Sequence, residues 1–451
     1  MSFPFLPRAS MSGRAPLALV VAAVVALPVL PGHVSGSTVV ALPSGQDVTY
    51  GGVSSPRTVQ SISNNPSSPA ASGRRGFATG LGAISVSYEL GKVDNLIERA
   101  EDLEEALDRD NLTLAEAEAL KDEFDAFLEE VGRDGYFKFS GAAQLPFTPF
   151  SANLPGLGGT LSLQANAIGT VRGRILDAPI EIVPSGGGDF ELQSRTSAYL
   201  KGAYGGHLAV GYSAPVWQQD EGRLFVGGRL NYYQMELSKG VIALEDTDDD
   251  DDDFGDALRD DFDRNSAKRS VASVDVGALW VTPRYQAGGY LRNLNEPTMK
   301  YPSIGQNCLE LDSGVSQNNC FTAGSFSDRI ALSEKYRMNR QLTVEGSVYT
   351  LDRSLSAGFS YDVNATRDIV ADEYQWFSLH AAYASESWWV PGVRAGYRSN
   401  QKGSGLSYYT AGLTLFRVLN LDAAMATDSV RVDGDKMPRS AMASLSFELY
   451  F

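Results

Sequence analysis

Histidine and cysteine are scarce in this sequence, with three His and two Cys in 451 residues. A His-rich metal centre is thereby excluded, and the absence of a Cys-x-x-Cys pair excludes a dithiol redox enzyme. Beyond residue 36 no stretch offers the roughly 18 uninterrupted apolar residues that a membrane-spanning helix needs, so a helical membrane protein is excluded as well. Basic residues are outnumbered, 38 Lys and Arg against 55 Asp and Glu, for a formal net charge of −17. Such a chain lacks the basic face that nucleic-acid binding requires. No Gly-rich phosphate loop stands out, and His207 and His380 each sit alone in a strand pattern, without a Ser-His-Asp set. The reading is therefore a protein that is not an enzyme and carries no cofactor.

What is abundant points to strands. Forty-five Gly and twenty each of Tyr and Phe suit short strands, glycine turns and aromatic rims, as in transmembrane barrels, although a soluble β-sandwich shares the profile. Residues 1–36 read as an export signal: Arg8 and Arg14 give the positive region, and Leu17 to Leu30 an apolar run broken by Pro28. Removing those two arginines, with no acid in the segment, takes the charge from −17 to −19. Residues 37–75, rich in Ser, Pro, Asn and Gly, read as an extended or plug-like lead-in, and 76–451 as the barrel. Within it, residues 93–133 break the strand pattern. Leu96, Ala100, Leu103 and Leu107, then Ala117, Leu120, Phe124, Phe127 and Val131, recur at helical spacing, and Thr113 with Glu116 forms a capping box between two helices. This predicts an inserted helical hairpin, either a cap on the barrel mouth or a docking surface for a protein partner.

Alternation decides the class. Val274, Val276, Ala278 and Trp280 oppose Ser273, Asp275 and Gly277; Leu355, Ala357, Phe359 and Tyr361 oppose Ser356, Gly358, Ser360 and Asp362. Such faces fit lipid outside and a polar lumen inside. Trp376, Trp388, Trp389, Tyr408 and Tyr409 cluster at strand ends and are expected to form interfacial girdles. In the last strand, Ala441, Ala443, Leu445, Phe447, Leu449 and Phe451 share one parity against Ser440, Ser444, Ser446 and Glu448. Phe447, Leu449 and Phe451 resemble the signal read by the barrel-assembly machinery, and an apolar terminal strand needs a closing partner to avoid an exposed edge. The prediction is all-β: an antiparallel transmembrane β-barrel of about 14–16 strands, in contact with outer-membrane lipid after export. The count carries an inconsistency. Threading from the C-terminus places 427–439, 400–405 and 366–373 outside, threading from the Asp-rich loop at 245–266 places them inside, and so one element between 327 and 365 is misassigned.

Polar features remain. Within 245–266, Asp248, Asp250 and Asp252 are weak calcium candidates, because carboxylates at short spacing offer oxygen ligands; a self-repelling solvated loop is the other reading. Cys308 and Cys320, in a Gly-, Ser- and Asn-rich loop at 296–326, are expected to form a disulfide in an exported protein. Arg229, Asn231, Asp275, Glu345, His380 and Arg394 take the polar parity of their strands and are the lumen-facing candidates. They would either pair with one another or line a solute path.

VGGRLNYY (226–233), LNEP (294–297), DEYQW (372–376), PGVRAGYRSN (391–400), AGLTLF (411–416) and DGDKMPRS (433–440) resemble the conjugal transfer protein TraF-like family of outer-membrane barrels. That family is similar to the FadL-type hydrophobic-compound transporters, which hold a short N-terminal plug inside a fourteen-stranded barrel. Asn65-Pro66, followed by Pro69-Ala70, is the loose counterpart of the transporters' asparagine-proline plug motif. The resemblance implies an integral outer-membrane protein without established enzymatic activity. The first expected role is envelope or conjugation-associated assembly with a protein partner. The alternative is a passive transporter or channel for hydrophobic small molecules. The family shares its name with a periplasmic thioredoxin-like protein, whose redox function does not carry over to a chain without Cys-x-x-Cys.

Overall fold

The computed structural model describes residues 42–73, 76–109, 111–154, 156, 158–219, 221–243, 262–311 and 314–450. Residues 1–36, expected to be an export signal, the aspartates from Asp246 to Asp261 and the terminal Phe451 lie outside the described residues. Fifteen hydrogen-bonded segments form one sheet, whose two end segments each pair with both Phe77–Leu90 and Gly159–Leu176 and so close it into a ring. Two of them, Tyr136–Gln144 and Phe150–Leu154, are halves of one strand interrupted at 145–149. The barrel therefore has fourteen strands. The first seven are β1 (Phe77–Leu90), β2 (the two halves just given), β3 (Gly159–Leu176), β4 (Ser197–Gln219), β5 (Gly222–Ala243), β6 (Ser266–Val281) and β7 (Tyr285–Arg292). The other seven are β8 (Gln341–Tyr349), β9 (Leu355–Asp362), β10 (Trp376–Tyr383), β11 (Gly392–Asn400), β12 (Ser407–Leu415), β13 (Leu419–Ala426) and β14 (Ser440–Tyr450). Every neighbouring pair is antiparallel, and β14 seals the ring against β1 with Ser85 opposite Ser444.

Closure follows from the sequence pattern. Each wall strand alternates, so one parity faces out: Ile84 and Val86 on β1, Leu208 and Val210 on β4, Leu445 and Phe447 on β14 are exposed. Their neighbours Ser85, His207, Ser444 and Ser446 are buried inside. In hydrocarbon no water satisfies backbone N–H and C=O groups, so a ring without edges is the form in which strands can span. No described helix is long and apolar enough to cross a membrane.

All connections longer than about ten residues leave from one end of the barrel, and the short turns lie at the other. This ordering removes the threading inconsistency. Residues 293–340 form a single excursion between β7 and β8 and contribute no wall strand; Thr298–Lys300 and Lys335–Arg337 alternate like wall strands but pair with each other above the rim. The disulfide loop is correspondingly longer than 296–326, and Cys308 is bonded to Cys320 within it.

Inside the ring sits a polar plug, residues 42–73. It contains helix α1 (Asp47–Tyr50), a 3₁₀ turn at Gln60–Ser63 and helix α2 (Ser68–Ala71). At the long-loop end, α3 (Leu96–Leu107) and α4 (Leu114–Asp134) form the inserted hairpin. Ala100, Ala117, Phe124, Phe127 and Val131 pack there with Ile180 and Leu192 of the 177–196 loop, and Leu112 bridges to Phe190. The hairpin thus has its own small core beside the mouth. Thr113 caps α4: its hydroxyl accepts from the Glu116 N–H, and the Glu116 carboxylate accepts from the Thr113 N–H at 2.9 Å. The Thr113 hydroxyl holds the Glu116 carboxyl below the usual carboxylate range, so this contribution is complete above that range and fades as the pH falls through it. Thr113→Ala is expected to speed amide exchange at the start of α4 about fivefold, with wall exchange unchanged; equal exchange in parent and variant would mean that tertiary packing alone sets this helix end.

A chamber between plug and lid

The lumen side chains of the wall fall into two sets, those that hold the plug and those that stay open above it. Glu345 on β8 accepts three hydrogen bonds from the plug: the Ser54 N–H, the Ser54 hydroxyl at 2.8 Å and the Asn65 amide at 2.7 Å. Across the barrel, Glu448 on β14 accepts from the Thr58 hydroxyl at 2.7 Å, the Val59 N–H at 3.0 Å and the Gln46 amide at 3.5 Å. Both carboxylates are thus satisfied at the plug by neutral donors. Arg229 on β5 is held by Asp275 on β6 and donates to the carbonyl of Ile62 at 2.6 Å. Arg394 on β11 is held by Asp422 on β13, which also accepts from Thr49 at 2.7 Å. These bonds join the plug to four wall strands, β5, β8, β13 and β14, with β6 and β11 bracing two of them.

Glycines make the seat. Gly227 on β5 lies directly opposite Gly277 on β6, and the Asn65-Pro66 turn rests on this pair. A Cβ on Gly277 would meet Asn65 Oδ1 at 2.1 Å, and one on Gly227 would meet the Pro66 carbonyl oxygen at 2.1 Å. Both distances are far inside van der Waals contact, so only glycine leaves room for this backbone approach.

The long-loop end is closed by residues 363–375. They fold inward as a short ribbon, Thr366–Arg367 against Glu373–Tyr374, and bury Ile369 and Val370 among Met299, Tyr301, Met338 and Tyr233. Lys138 on β2 reaches across to Asp368, to Asp372 at 2.8 Å and to the Tyr374 hydroxyl; Arg172 on β3 also pairs with Asp372. This segment acts as a lid.

Between lid and plug lies a cavity of about 230 Å³. Tyr233, Tyr290, Tyr336, Tyr374, Trp376 and Tyr408 line it, together with Asp47 and Asn64 of the plug and Arg292, Asp362 and Arg398 of the wall. Asp362 is satisfied by Thr343 at 2.7 Å, Gln341 at 2.9 Å and the Trp376 N–H at 3.0 Å. Arg292 donates to Asn64 at 3.1 Å. A second cavity, of about 320 Å³, lies at the short-turn end between the plug and β10–β13, and is lined by Arg57, Arg353, Arg394 and Arg417.

All six lumen candidates point inward and are buried, with Arg229, Asn231, Asp275, Glu345 and Arg394 in the plug-holding network or beside it. His380 meets the Tyr50 ring edge-on at 4.8 Å. Phe447 faces outward and Leu449 is half-buried. Asp248, Asp250, Asp252 and Phe451 lie outside the described residues; among the described residues no group of acids, His or Cys is gathered as a metal site. Two of the expected girdle aromatics belong elsewhere. Trp376 and Tyr408 share the parity of the buried Ser378 and Thr410 and turn into the chamber, whereas Trp388, Trp389 and Tyr409 are exposed on the outside. Arg292, Arg398 and the lid escaped the sequence reading, although Arg398 lies four residues from Arg394 on the same strand face.

The model of the family described as "F plasmid transfer operon, TraF, protein" matches residues 63–362, two thirds of the chain. The protein belongs to the TraF family. The match spans the last third of the plug and the wall through β9. No curated protein matches. Among solved structures, the deltaS2S3 mutant of the monoaromatic hydrocarbon channel TodX is 10% identical over 92% of this chain and 99% of its own, with a TM-score of 0.43. A FadL homologue from Pseudomonas aeruginosa is 11% identical over 93% and 100%, TM-score 0.40. The toluene transporter TbuX from Ralstonia pickettii is 13% identical over 93% and 99%, TM-score 0.36. The TraF-family chain described here has an outer-membrane type of β-barrel fold.

Proposed function

We propose that this TraF-family barrel is exported by its leader to the outer membrane and passes a small amphipathic solute from the long-loop side through the chamber to the short-turn side. The observation that carries this reading is the chamber itself, closed by two elements that are held non-covalently, the plug and the lid. An assembly scaffold has no need of an internal cavity lined by aromatic rings and polar groups, whereas a solute path does. Plug and lid make passage conditional on movement and not open diffusion. A second reading, docking of an envelope or conjugation partner, is favoured by one feature, the α3–α4 hairpin with its separate core beside the mouth.

Liposomes carrying the purified protein should take up benzyl alcohol saturably. A cysteine pair at Thr49 and Asp422, whose side chains meet at 2.7 Å, should stop uptake when oxidised and restore it on reduction, with the parent under reductant as the control for Cys308–Cys320. Absence of saturable uptake in the parent would remove passage and leave the docking reading. In the same assay Lys138→Met, which leaves Asp368 without its cation and only Arg172 on Asp372, is expected to raise the uptake rate severalfold, since an ion pair that loses one partner leaves the other buried and unpaired; an unchanged rate would show that the Lys138 anchor does not limit entry.

A further inference from the structure

Two charged groups in the chamber are left over when every hydrogen bond among the described residues is assigned. Arg398, only 6% exposed, lies with its guanidinium 4.0 Å from the centre of the Trp376 ring, and its Nε and Nη1 have no hydrogen-bond partner. Asp47, at the first turn of α1 and 4% exposed, has an Oδ1 without a partner. Both line the same cavity, yet no ion pair joins them among the described residues. A buried guanidinium and a buried carboxylate that line one cavity without pairing give that cavity a donor and an acceptor of opposite kind. Leaving such groups unsatisfied is costly, and a purely apolar solute would do so on both sides.

From this we infer that the chamber binds a small zwitterion of the α-amino acid class, with its carboxylate on Arg398, its ammonium on Asp47 and an aromatic side chain among Tyr290, Tyr374 and Tyr408. The inference rests on the proposed passage function and names its solute. Charge balance supports it: Arg292 and Arg398 on the wall stand against Asp362 and Asp47, so a simple anion or a simple cation would leave a net charge enclosed, and a zwitterion does not. Size agrees, because about 230 Å³ is many times the roughly 10–15 Å³ that admits one water, enough for one small organic molecule. Trp376 braces the guanidinium by a cation–π contact, which fixes its plane for a two-point grip on a carboxylate.

Calorimetry on the full chain in detergent, with L-phenylalanine, phenylacetate and phenethylamine as probes, tests this. L-Phenylalanine should bind at least about tenfold more tightly than either singly charged probe. Arg398→Gln and Asp47→Asn should each weaken it about ten- to a hundredfold, the range for a hydrogen bond to a charged group. Asp47→Asn should at the same time shift preference towards phenylacetate, a gain that a merely misfolded variant would not show; heat-modifiable migration checks the fold of both variants. Equal binding of the three probes, or L-phenylalanine binding indifferent to both substitutions, overturns the inference. If benzyl alcohol enters saturably while L-phenylalanine does not bind, the zwitterion fails and passage stands; if neither happens, both fail.

Discussion

Bilayers containing the Glu345→Ala, Glu448→Ala double variant are expected to conduct steadily where the parent stays closed. The two carboxylates receive six hydrogen bonds from the plug, three each, at opposite sides of the ring. Hydrogen bonds to a charged acceptor contribute about 1.5–3 kcal/mol apiece, and donors stranded in a dry lumen add to the loss. Bonds sharing one carboxylate do not sum fully, so about 3–5 kcal/mol for each glutamate is reasonable. Together they exceed the roughly 5.5 kcal/mol that moves a two-state ratio from 99:1 to 1:99. Each single variant should therefore flicker and the double variant remain open, while the wall, whose ladder does not depend on these side chains, keeps its heat-modifiable migration. A double variant as closed as the parent would mean that the plug is retained by shape and by its other wall partners, Arg229, Arg292, Asp422 and Ser444 among them.

Gly277→Val is expected to unseat the same plug by a different cause. Its side chain would occupy the space of Asn65 Oδ1, and Gly227→Val that of the Pro66 carbonyl. Neither obstacle is the end of a flexible side chain free to swing away, because Asn65 is tied to Glu345 at 2.7 Å and its Oδ1 accepts from Ser67. The 64–68 segment must lift, and the Glu345 latch goes with it. Limited proteolysis should cut within 64–73 at least about tenfold faster in either variant, in line with the several kcal/mol typical of a severe core overlap. Gly141→Ala is the matched control, since its nearest neighbour would be the Ser85 carbonyl oxygen at 3.9 Å. Proteolysis that is no faster in Gly277→Val than in Gly141→Ala would show that the turn does not rest on this pair.

How much of this was legible in the sequence depends on whether the signal was local. Period-two alternation is set by one strand's own residues, so the wall, its polar lumen and the lipid-facing parity of the last strand were all readable. The plug was readable only as a composition. Its serines, threonines and asparagines have no period of their own, and their partners lie far along the chain, as with Ser54 and Glu345, separated by 291 residues. The lid was hidden for a related reason: Ile369-Val370 is too short for an apolar element, and its burial depends on Met299, Tyr301 and Met338 from another loop. Trp376 and Tyr408 were misplaced because position at a strand end was weighed above parity, and parity proved to be the physical determinant. The same rule carried one step beyond Arg394 would have put Arg398 in the lumen.

The reach of the plug's bonds has a consequence for the order in which the protein is made. Gly45 donates to Ser444 and Thr58 to Glu448, across 399 and 390 residues, so the N-terminal segment finds those partners only when the last strand is in place. Until then the Glu345 carboxylate as acceptor, Arg229 as donor and the Gly227–Gly277 notch as seat are available to it, all on strands made earlier. The plug should accordingly dock on the β5–β8 arc of an unfinished sheet and present Thr58 and Val59 to β14 as it arrives, so that sealing the seam and seating the plug become a single late event. Contacts of such long range are the slowest to form. A pulse-labelled chain truncated before β14 should then show Asn65 protected and Thr58 open.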